Sequence, residues 1–240
     1  MNNPSKNYIE IYNEIKRNWD RIAKPLDSLG KLEEIVCKIG AVQNTVHPKA
    51  ARSAVLVLCS DNGIVDEGVS QSGQEVTRIC VKNIAAGKAS VGALAKFSGT
   101  EIITADFGIN TDEKLPGVLD LKIRKGTRNF LKESAMTKSE TEDAIQKGME
   151  LAERCKKFGL EILCLGEMGI GNTTTSAAVA SSLLKCRASQ IAGRGAGLSD
   201  EGLKKKISVI QSAIEKYSLY EKSALEVLQT VGGFDLAGMA

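Results

Sequence analysis

The sequence predicts an α/β fold in which a mostly parallel sheet is flanked by helices, with a small helical layer at the N-terminus. Short apolar runs alternate with helical patterns from residue 54 onward, and this alternation is typical of parallel sheets covered by helices. Helical periodicity also occupies the region before the first of these runs. We therefore expect residues 1–48 to form the N-terminal helical part of a small domain and residues 49–240 to form a large α/β domain.

The first third of the chain begins with helix and then starts the alternation. Residues 7–44 have helical periodicity, apart from a break where Pro25 and Gly30 interrupt it. The first strand is AVLVLC at 54–59, a short apolar run of the kind that forms a buried strand. A helix with many small residues is predicted to follow over residues 75–98.

The middle of the sequence adds two strands and a helix. EIITADFG at 101–108 is a second buried strand, and VLDLKIR at 118–124 alternates apolar and charged residues with the period of a strand. The next helix starts at Thr137, because Glu140 three residues later completes a capping box. Helical spacing predicts its apolar face to consist of Ile145, Met149, Ala152 and Cys155.

The last strand is LEILCL at 160–165, and a glycine-rich loop and a helix follow it. A final long helix begins near Ser199, and its apolar stripe at helical spacing consists of Leu203, Ile207, Ile210 and Ile214. Taken together, the elements predict a Rossmann-like sheet with helices between its strands.

Composition argues against several classes of function. The net charge of +3 is too small to indicate nucleic acid, and 4% aromatic residues are too few for stacking platforms. No run of about eighteen apolar residues indicates a membrane span, and the polar N-terminus lacks the apolar core of a signal peptide, so we expect a cytoplasmic protein. The six cysteines show no ligand spacing and His47 is the only histidine, which predicts buried free thiols, no metal and no cofactor.

The segments after the strands are the candidate functional places, because ligands of such folds bind at the carboxyl ends of the strands. Glycines in GEMGIGNTT at 166–174, and in GRGAGL at 193–198 before the Ser199 helix, allow backbone N–H groups to approach a ligand. A helix N-terminus favours an anion, so two such loops indicate a phosphate-bearing ligand. Neither loop matches the P-loop or the dinucleotide fingerprint. The alternative is that the glycines only make tight turns and close helix contacts.

Four charged residues near these loops are candidates for chemistry. Glu167 stands in the first loop, where a carboxylate can receive a proton, orient a hydroxyl or stabilise a developing cation. Lys206 lies at the edge of the apolar stripe and can reach inward to a phosphate. Asp61 and Asp106 end strands, where a carboxylate can bind ribose hydroxyls. The alternatives are an ion-pair or surface role for Glu167, a solvated face for Lys206, and loop capping for the two aspartates. The residues alone therefore indicate a protein that binds a phosphorylated, ribosyl small molecule.

Several segments taken together resemble one family, the nicotinate-nucleotide–dimethylbenzimidazole phosphoribosyltransferases. The matching segments are collinear and span nearly the whole chain: KPLDSLGKLE, SDNGIVDEGVS, GTRNF with SAMT, GEMGIGNTT, GRGAGLSDEGLKKKI and VGGFDLAGMA. The resemblance implies a pentosyltransferase that moves a 5-phosphoribosyl group from nicotinate mononucleotide to 5,6-dimethylbenzimidazole, giving α-ribazole 5′-phosphate and nicotinate for the lower ligand of cobalamin. It also implies a homodimer.

The same resemblance assigns roles to individual residues. Glu167 and Lys206 match active-site residues of the family, and Ser72 matches a residue that lines the benzimidazole pocket. The residues that match the ribose-phosphate cradle or stand within its loops are Gly166, Met168, Gly169, Gly171, Asn172, Thr173, Gly193, Arg194, Gly195, Gly197 and Leu198.

The chain departs from the family pattern in three places. Asn62 stands where the family has a histidine, which removes a ring that could pack or form a hydrogen bond. Cys80 stands where well-known members carry a glutamine near the base, so another azole, a purine or a phenol can be the acceptor. The sequence also stops at Ala240, whereas family members continue with further strands, closing helices and a glutamate regarded as the general base. We therefore expect an unpaired sheet edge, an uncovered C-terminal helix and little transferase activity of the chain alone. The alternatives to a complete enzyme are a fragment, a non-catalytic nucleotide-binding module, half of an enzyme completed by a second chain, or an unrelated Rossmann-type binder.

Overall fold

The computed structural model describes residues 6–240, which divide into two compact units at the boundary between Ala51 and Arg52. The first unit contains α1 (Lys6–Asp20) and α2 (Lys31–Gln43). The predicted helical region and its break are therefore confirmed. Gly30 lies directly before α2 with φ +56°, a left-handed conformation that glycine adopts without strain.

A buried carboxylate holds the first unit together. Glu33 in α2 is almost fully buried, and its carboxylate accepts a hydrogen bond of 2.7 Å from Lys24 Nζ and one of 3.1 Å from the Leu29 N–H. The contact with Lys24 lowers the pKa of Glu33, because it favours the ionised form. The segment between the two helices is thus tied to α2 by a paired charge.

The second unit is built on four parallel strands, which confirms the predicted parallel sheet. They are β1 (Ser53–Ser60), β2 (Glu101–Gly108), β3 (Val118–Asp120) and β4 (Ile162–Met168). Their order across the sheet is β3-β2-β1-β4, so β1 is central. The third strand is shorter than the predicted 118–124. The N–H groups of Leu121 and Ile123 still donate to the carbonyls of Asp106 and Phe107, but the chain already leaves the regular ladder there.

Eight further helices surround the sheet among the described residues. They are α3 (Glu75–Ala85), α4 (Ser90–Ser98), α5 (Lys138–Lys157), α6 (Asn172–Leu183), α7 (Ala188–Ile191), α8 (Asp200–Tyr217), α9 (Ala224–Val231) and α10 (Phe234–Met239). The prediction of one helix over 75–98 was wrong, because Gly87 turns the chain with φ +69° and a second helix starts at Ser90. Gly92 packs so closely on the backbone of Gly87 that a side chain there would clash. No described helix is long and apolar enough to cross a membrane.

Helix α5 confirms its predicted start and part of its predicted face, since Cys155 is buried and Ile145 packs against the core. Thr137 and Glu140 form the reciprocal hydrogen bonds of a capping box. The buried residues, however, are Thr141, Ala144, Gly148, Leu151 and Cys155, whereas the predicted Met149 and Ala152 are exposed. Gly148 lies directly against the backbone of Gly238 in α10, so the closest approach of the two helices, and not the larger apolar side chains, sets the buried face.

The apolar residues of the C-terminal helix are packed against the core, which corrects the expectation that they would be exposed. In α10, Phe234 and Ala237 are fully buried, and Gly238 packs against the side chains of Leu58 and Phe107. Another correction concerns Cys164 in β4, which is exposed and not a buried thiol. Among residues 6–240, β4 pairs only with β1, and its Leu165 is half exposed.

Candidate active site

The strand order places a crevice between the carboxyl ends of β1 and β4. From β1 the chain first adds β2 and β3 on one side and then returns to add β4 on the other. Ligands of open α/β sheets bind at such a point of reversal. Leu58 in β1 pairs with Glu167 in β4, so the predicted acid stands at this edge of the sheet.

The glycine loop after β4 leads directly into the open N-terminus of α6. Gly169 packs on the carbonyl of Ser60 at a distance that no side chain would permit. Gly171 is the N-cap residue of α6 with φ +91°, and no side chain caps the helix. The first N–H groups of α6 already donate within the loop, Asn172 to the Gly169 carbonyl and Thr174 to the Gly171 carbonyl, so it is the positive pole of the helix dipole that faces the crevice.

Glu167 is oriented by the same helix N-terminus. The carboxylate is half-buried, and it accepts a hydrogen bond from Nδ2 of Asn172, the first residue of α6. Asn172 Oδ1 in turn accepts a bond of 2.7 Å from the Thr173 N–H. The acid is thus held beside the positive end of the helix and is not paired with a lysine or arginine in the described chain.

Lys206 reaches inward from α8 and is 1% exposed, so the alternative of a solvated face is excluded for this residue. Its Nζ donates to Thr173 Oγ1 at 2.7 Å and to the Gly193 carbonyl at 3.1 Å. Between residues 6 and 240 no carboxylate forms an ion pair with it, and burial lowers its pKa. A buried ammonium that contacts only neutral oxygens lacks a counter-charge.

The second glycine loop completes the enclosure around Lys206. Gly195 has φ +56°, and a Cβ there would stand 2.9 Å from Thr173 Oγ1. Gln71 Nε2 donates to the Gly197 carbonyl and so links this loop to the segment before α3. The cavity that results has a volume of about 50 Å³. Its lining combines Val69–Gln71, Ile170–Thr173, Arg194–Leu198 and Lys206.

The remaining predicted residues lie outside this small cavity. Asp61 is buried and accepts 2.8 Å from the Asn110 N–H, while Asp106 accepts 2.8 Å from the Ile109 N–H and pairs with Lys122 at 3.2 Å. Burial raises the pKa of both carboxyls. These contacts fit the loop-capping alternative.

Two more predicted residues stand at the periphery, and a third lines the cavity with its charge already paired. Ser72 and Cys80 are half-buried, in the segment before α3 and within α3. Arg194 lines the cavity but donates 2.8 Å to the Leu198 carbonyl and pairs with Asp200, so its guanidinium is already engaged.

Four residues at the crevice escaped the sequence analysis as site residues. Gln71 closes the cavity, and Asn62 and Thr77 contact the glycine loop. Asp235 in α10 is fully buried, and burial together with the nearby charge of Glu167 raises its pKa to about 7. All four act through contacts with distant segments, for which a single sequence gives no signal. The exception is Gln71, because the polar run around it follows the first strand and so indicates a loop near the ligand.

Comparisons with known proteins fit this geometry. The family model DBI_PRT, described as Phosphoribosyltransferase, matches residues 6–240. A protein of Acetivibrio thermocellus named nicotinate-nucleotide–dimethylbenzimidazole phosphoribosyltransferase is 41% identical over 235 residues, which cover 96% of this chain and 67% of the relative. A protein of the same name from Clostridium perfringens is 39% identical, over 93% of this chain and 62% of its own length.

A solved structure gives the same result for the fold. The crystal structure of CobT from Thermus thermophilus superposes with a TM-score of 0.88 at 36% identity, over 95% of this chain and 69% of the other. The chain thus spans roughly two thirds of the length of the proteins that it matches, between 62% and 69%.

Proposed function

Because the chain belongs to the phosphoribosyltransferase family, we propose that it binds a 5-phosphoribosyl donor in the β1/β4 crevice and takes part in transfer of that group to an azole base. The donor is nicotinate mononucleotide and the acceptor is 5,6-dimethylbenzimidazole or a related base, as the names of the relatives suggest. The products are α-ribazole 5′-phosphate and nicotinate.

The observation that carries this proposal is the buried, unpaired ammonium of Lys206. An ammonium held away from water by neutral oxygens alone is costly, and a bound phosphate supplies the missing negative charge. The N-terminus of α6 adds its positive pole from the adjoining side. A cavity of about 50 Å³ suits one phosphate group and not a whole nucleotide, so the ribose and the base extend toward the open crevice.

In this proposal Glu167 acts on the ribose that follows the phosphate. When nicotinate leaves, the electron pair of the bond from C1′ stays on the pyridine nitrogen, and C1′ gains positive charge. A carboxylate fixed by Asn172 stabilises that charge without first having to reorganise. An azole nitrogen then forms the new bond to C1′, and the proton from the other azole nitrogen passes to a base, for which Glu167 is the candidate within this chain.

A nucleotide-binding module without turnover is the second candidate function. The phosphate cavity is lined by residues of the described chain, whereas the chain covers 62% of the length of one matched relative. Binding is therefore supported by local geometry, and turnover is supported by family membership.

Three broader features also belong to the proposal. We propose a homodimer, which the family resemblance implies, and a cytoplasmic location, which the polar N-terminus suggests; analytical ultracentrifugation tests the first. The division into a small domain over 1–48 and a large domain over 49–240 is tested by expressing the second segment alone.

The decisive test is turnover by the purified chain. Nicotinate mononucleotide and dimethylbenzimidazole are incubated with it, and nicotinate and α-ribazole phosphate are quantified by chromatography. We expect E167Q to lower the rate at least about a hundredfold while nicotinate mononucleotide still binds in calorimetry. The exposed Glu153 gives the matched control E153Q, which leaves the rate unchanged.

Each outcome separates the two functions. Product from the chain, lost in E167Q, supports the transferase. Binding of the mononucleotide without product supports the binding module, and absence of binding contradicts both.

A further inference from the structure

Ile170 is the residue between the two glycines that follow Met168, and both polar groups of its backbone are held by side chains from outside the loop. Its N–H donates to Thr77 Oγ1 in α3 at 2.9 Å. Its carbonyl accepts from Asn62 Nδ2, directly after β1, at 3.3 Å. Two hydrogen bonds therefore hold the loop at one residue, one from α3 and one from the segment directly after β1.

Both side chains that grip Ile170 are themselves fixed. Asn62 and Thr77 are fully buried, with no measurable exposure. The Thr77 hydroxyl interacts with the buried carboxylate of Asp61. The backbone carbonyl of Asn62 accepts from Gln74 Nε2 at 3.2 Å, which ties the backbone at Asn62 to the segment before α3.

The loop needs such an external hold because of its composition. Gly169 and Gly171 flank Ile170, and glycine loses more conformational freedom on folding than any other residue. Helix α6 starts at the residue after Gly171, so any drift of the loop moves the N-terminus of the helix, where Gly171, Asn172 and Thr173 line the phosphate cavity. A binding site gains affinity when its groups are already in place before the ligand arrives.

We propose that Thr77 and Asn62 are positioning residues that clamp the peptide groups of Ile170 and so hold the N-terminus of α6 ready for a phosphate group. The proposal rests on the phosphate site proposed above. Neither side chain lines the cavity, so both act through the loop and do not touch the ligand.

The test compares T77V, T77S and N62A with the unaltered chain, using inorganic phosphate in calorimetry and amide hydrogen exchange of Ile170 by NMR. Valine keeps the shape of threonine and removes the acceptor for the Ile170 N–H. We expect T77V to weaken phosphate binding about tenfold and to speed exchange at Ile170 by a similar factor. T77S retains the hydroxyl and restores both values.

A matched control separates the clamp from a general loss of stability. Thr141 is a buried threonine of α5 whose hydroxyl donates to the Thr137 carbonyl at 2.9 Å, far along the chain from the loop. We expect T141V to lower the melting temperature without changing the phosphate affinity. If T77V does not fold, N62A tests the carbonyl side of the clamp by the same measurements.

The outcomes distinguish the clamp from the phosphate site. Unchanged exchange and unchanged affinity in T77V and N62A overturn the clamp. Absence of phosphate binding by the unaltered chain overturns the phosphate site and, with it, the role of the clamp in binding. Faster exchange with unchanged affinity shows a structural hold that does not position the site, and overturns the proposal as stated.

Discussion

Two charged side chains of the large unit, the half-buried Glu140 and the buried Lys206, differ in whether the fold supplies them with an opposite charge. The Glu140 carboxylate accepts from Arg124 Nε at 2.8 Å, from Arg128 Nη1 at 2.7 Å and from the Thr137 N–H at 2.7 Å. Burial raises the pKa of Glu140, but the Arg128 contact, the Thr137 N–H and the charge of Arg124 outweigh it and lower the value to about 2.

Lys206 has no comparable partner within the described chain. Its ammonium contacts two neutral oxygens, and burial lowers its pKa without any opposing charge. A charge with an opposite charge beside it can contribute to stability. A buried charge without one lowers the stability of the free protein, and a bound ligand of opposite charge offsets that loss. The difference indicates a structural role for Glu140 and supports the proposal that Lys206 binds a ligand.

The largest expected effect is that of K206M on phosphate binding. Methionine has a similar length and no charge, so we expect the affinity for inorganic phosphate to fall about a hundredfold in calorimetry. The free energy of unfolding in urea should stay within about 1 kcal/mol of the unaltered chain, because a buried unpaired charge is removed together with its two hydrogen bonds.

Lys204, an exposed neighbour in the same helix, provides the control K204M, which should change neither quantity. If K206M is strongly destabilised yet binds phosphate normally, Lys206 has a structural role like that of Glu140, and the contrast between the two charges does not hold.

The next effect is that of E140Q on stability. Glutamine leaves two guanidinium groups without their carboxylate, and we expect a loss of about 2 kcal/mol in the free energy of unfolding at pH 7. The direction in which this stabilisation changes with pH follows from the pKa of Glu140, which is lowered from 4.5 to about 2 in the folded chain. The stabilisation is full above about pH 4.5 and is lost as the pH falls toward 2.

Urea titrations between pH 7 and pH 3 check this expectation. The difference between E140Q and the unaltered chain should shrink as the pH falls. The exposed Glu142 of the same helix gives the control E142Q, with little effect at either pH. An E140Q effect that does not depend on pH would show that packing, and not the charge, is responsible.

Local patterns predicted much of the fold and part of the site. The capping box at Thr137 and the inward reach of Lys206 follow from spacings of a few residues, and the structure has both. The break at Gly87 was missed because a helical pattern continues through it. The contacts of Ile170 with Asn62 and Thr77 span 108 and 93 residues of sequence, so no local period encodes them. The same holds for Asp235, whose burial depends on where α10 packs.

The smallest expected effect tests whether the shape of the cavity contributes beside the charge of Lys206. In G195A the new Cβ would stand 2.9 Å from Thr173 Oγ1 and 3.8 Å from Lys206 Nζ. The residue also has φ +56°, where a Cβ costs roughly 1 kcal/mol. We expect phosphate to bind about tenfold more weakly in calorimetry, since the methyl group displaces the hydroxyl that Lys206 contacts.

Gly99 is the matched control, because it has φ +68° but nothing within 4 Å of its Cβ position. G99A therefore carries the same backbone strain without the contact, and it should lower the melting temperature while leaving phosphate affinity intact. Equal phosphate affinity in G195A and G99A would mean that the loop opens at no cost, so that Lys206 and the N-terminus of α6 alone would have to hold the ligand. If phosphate affinity falls in G195A but not in G99A, the second glycine loop is part of the site. The Thr173 hydroxyl then needs the space that the missing side chain of Gly195 leaves free.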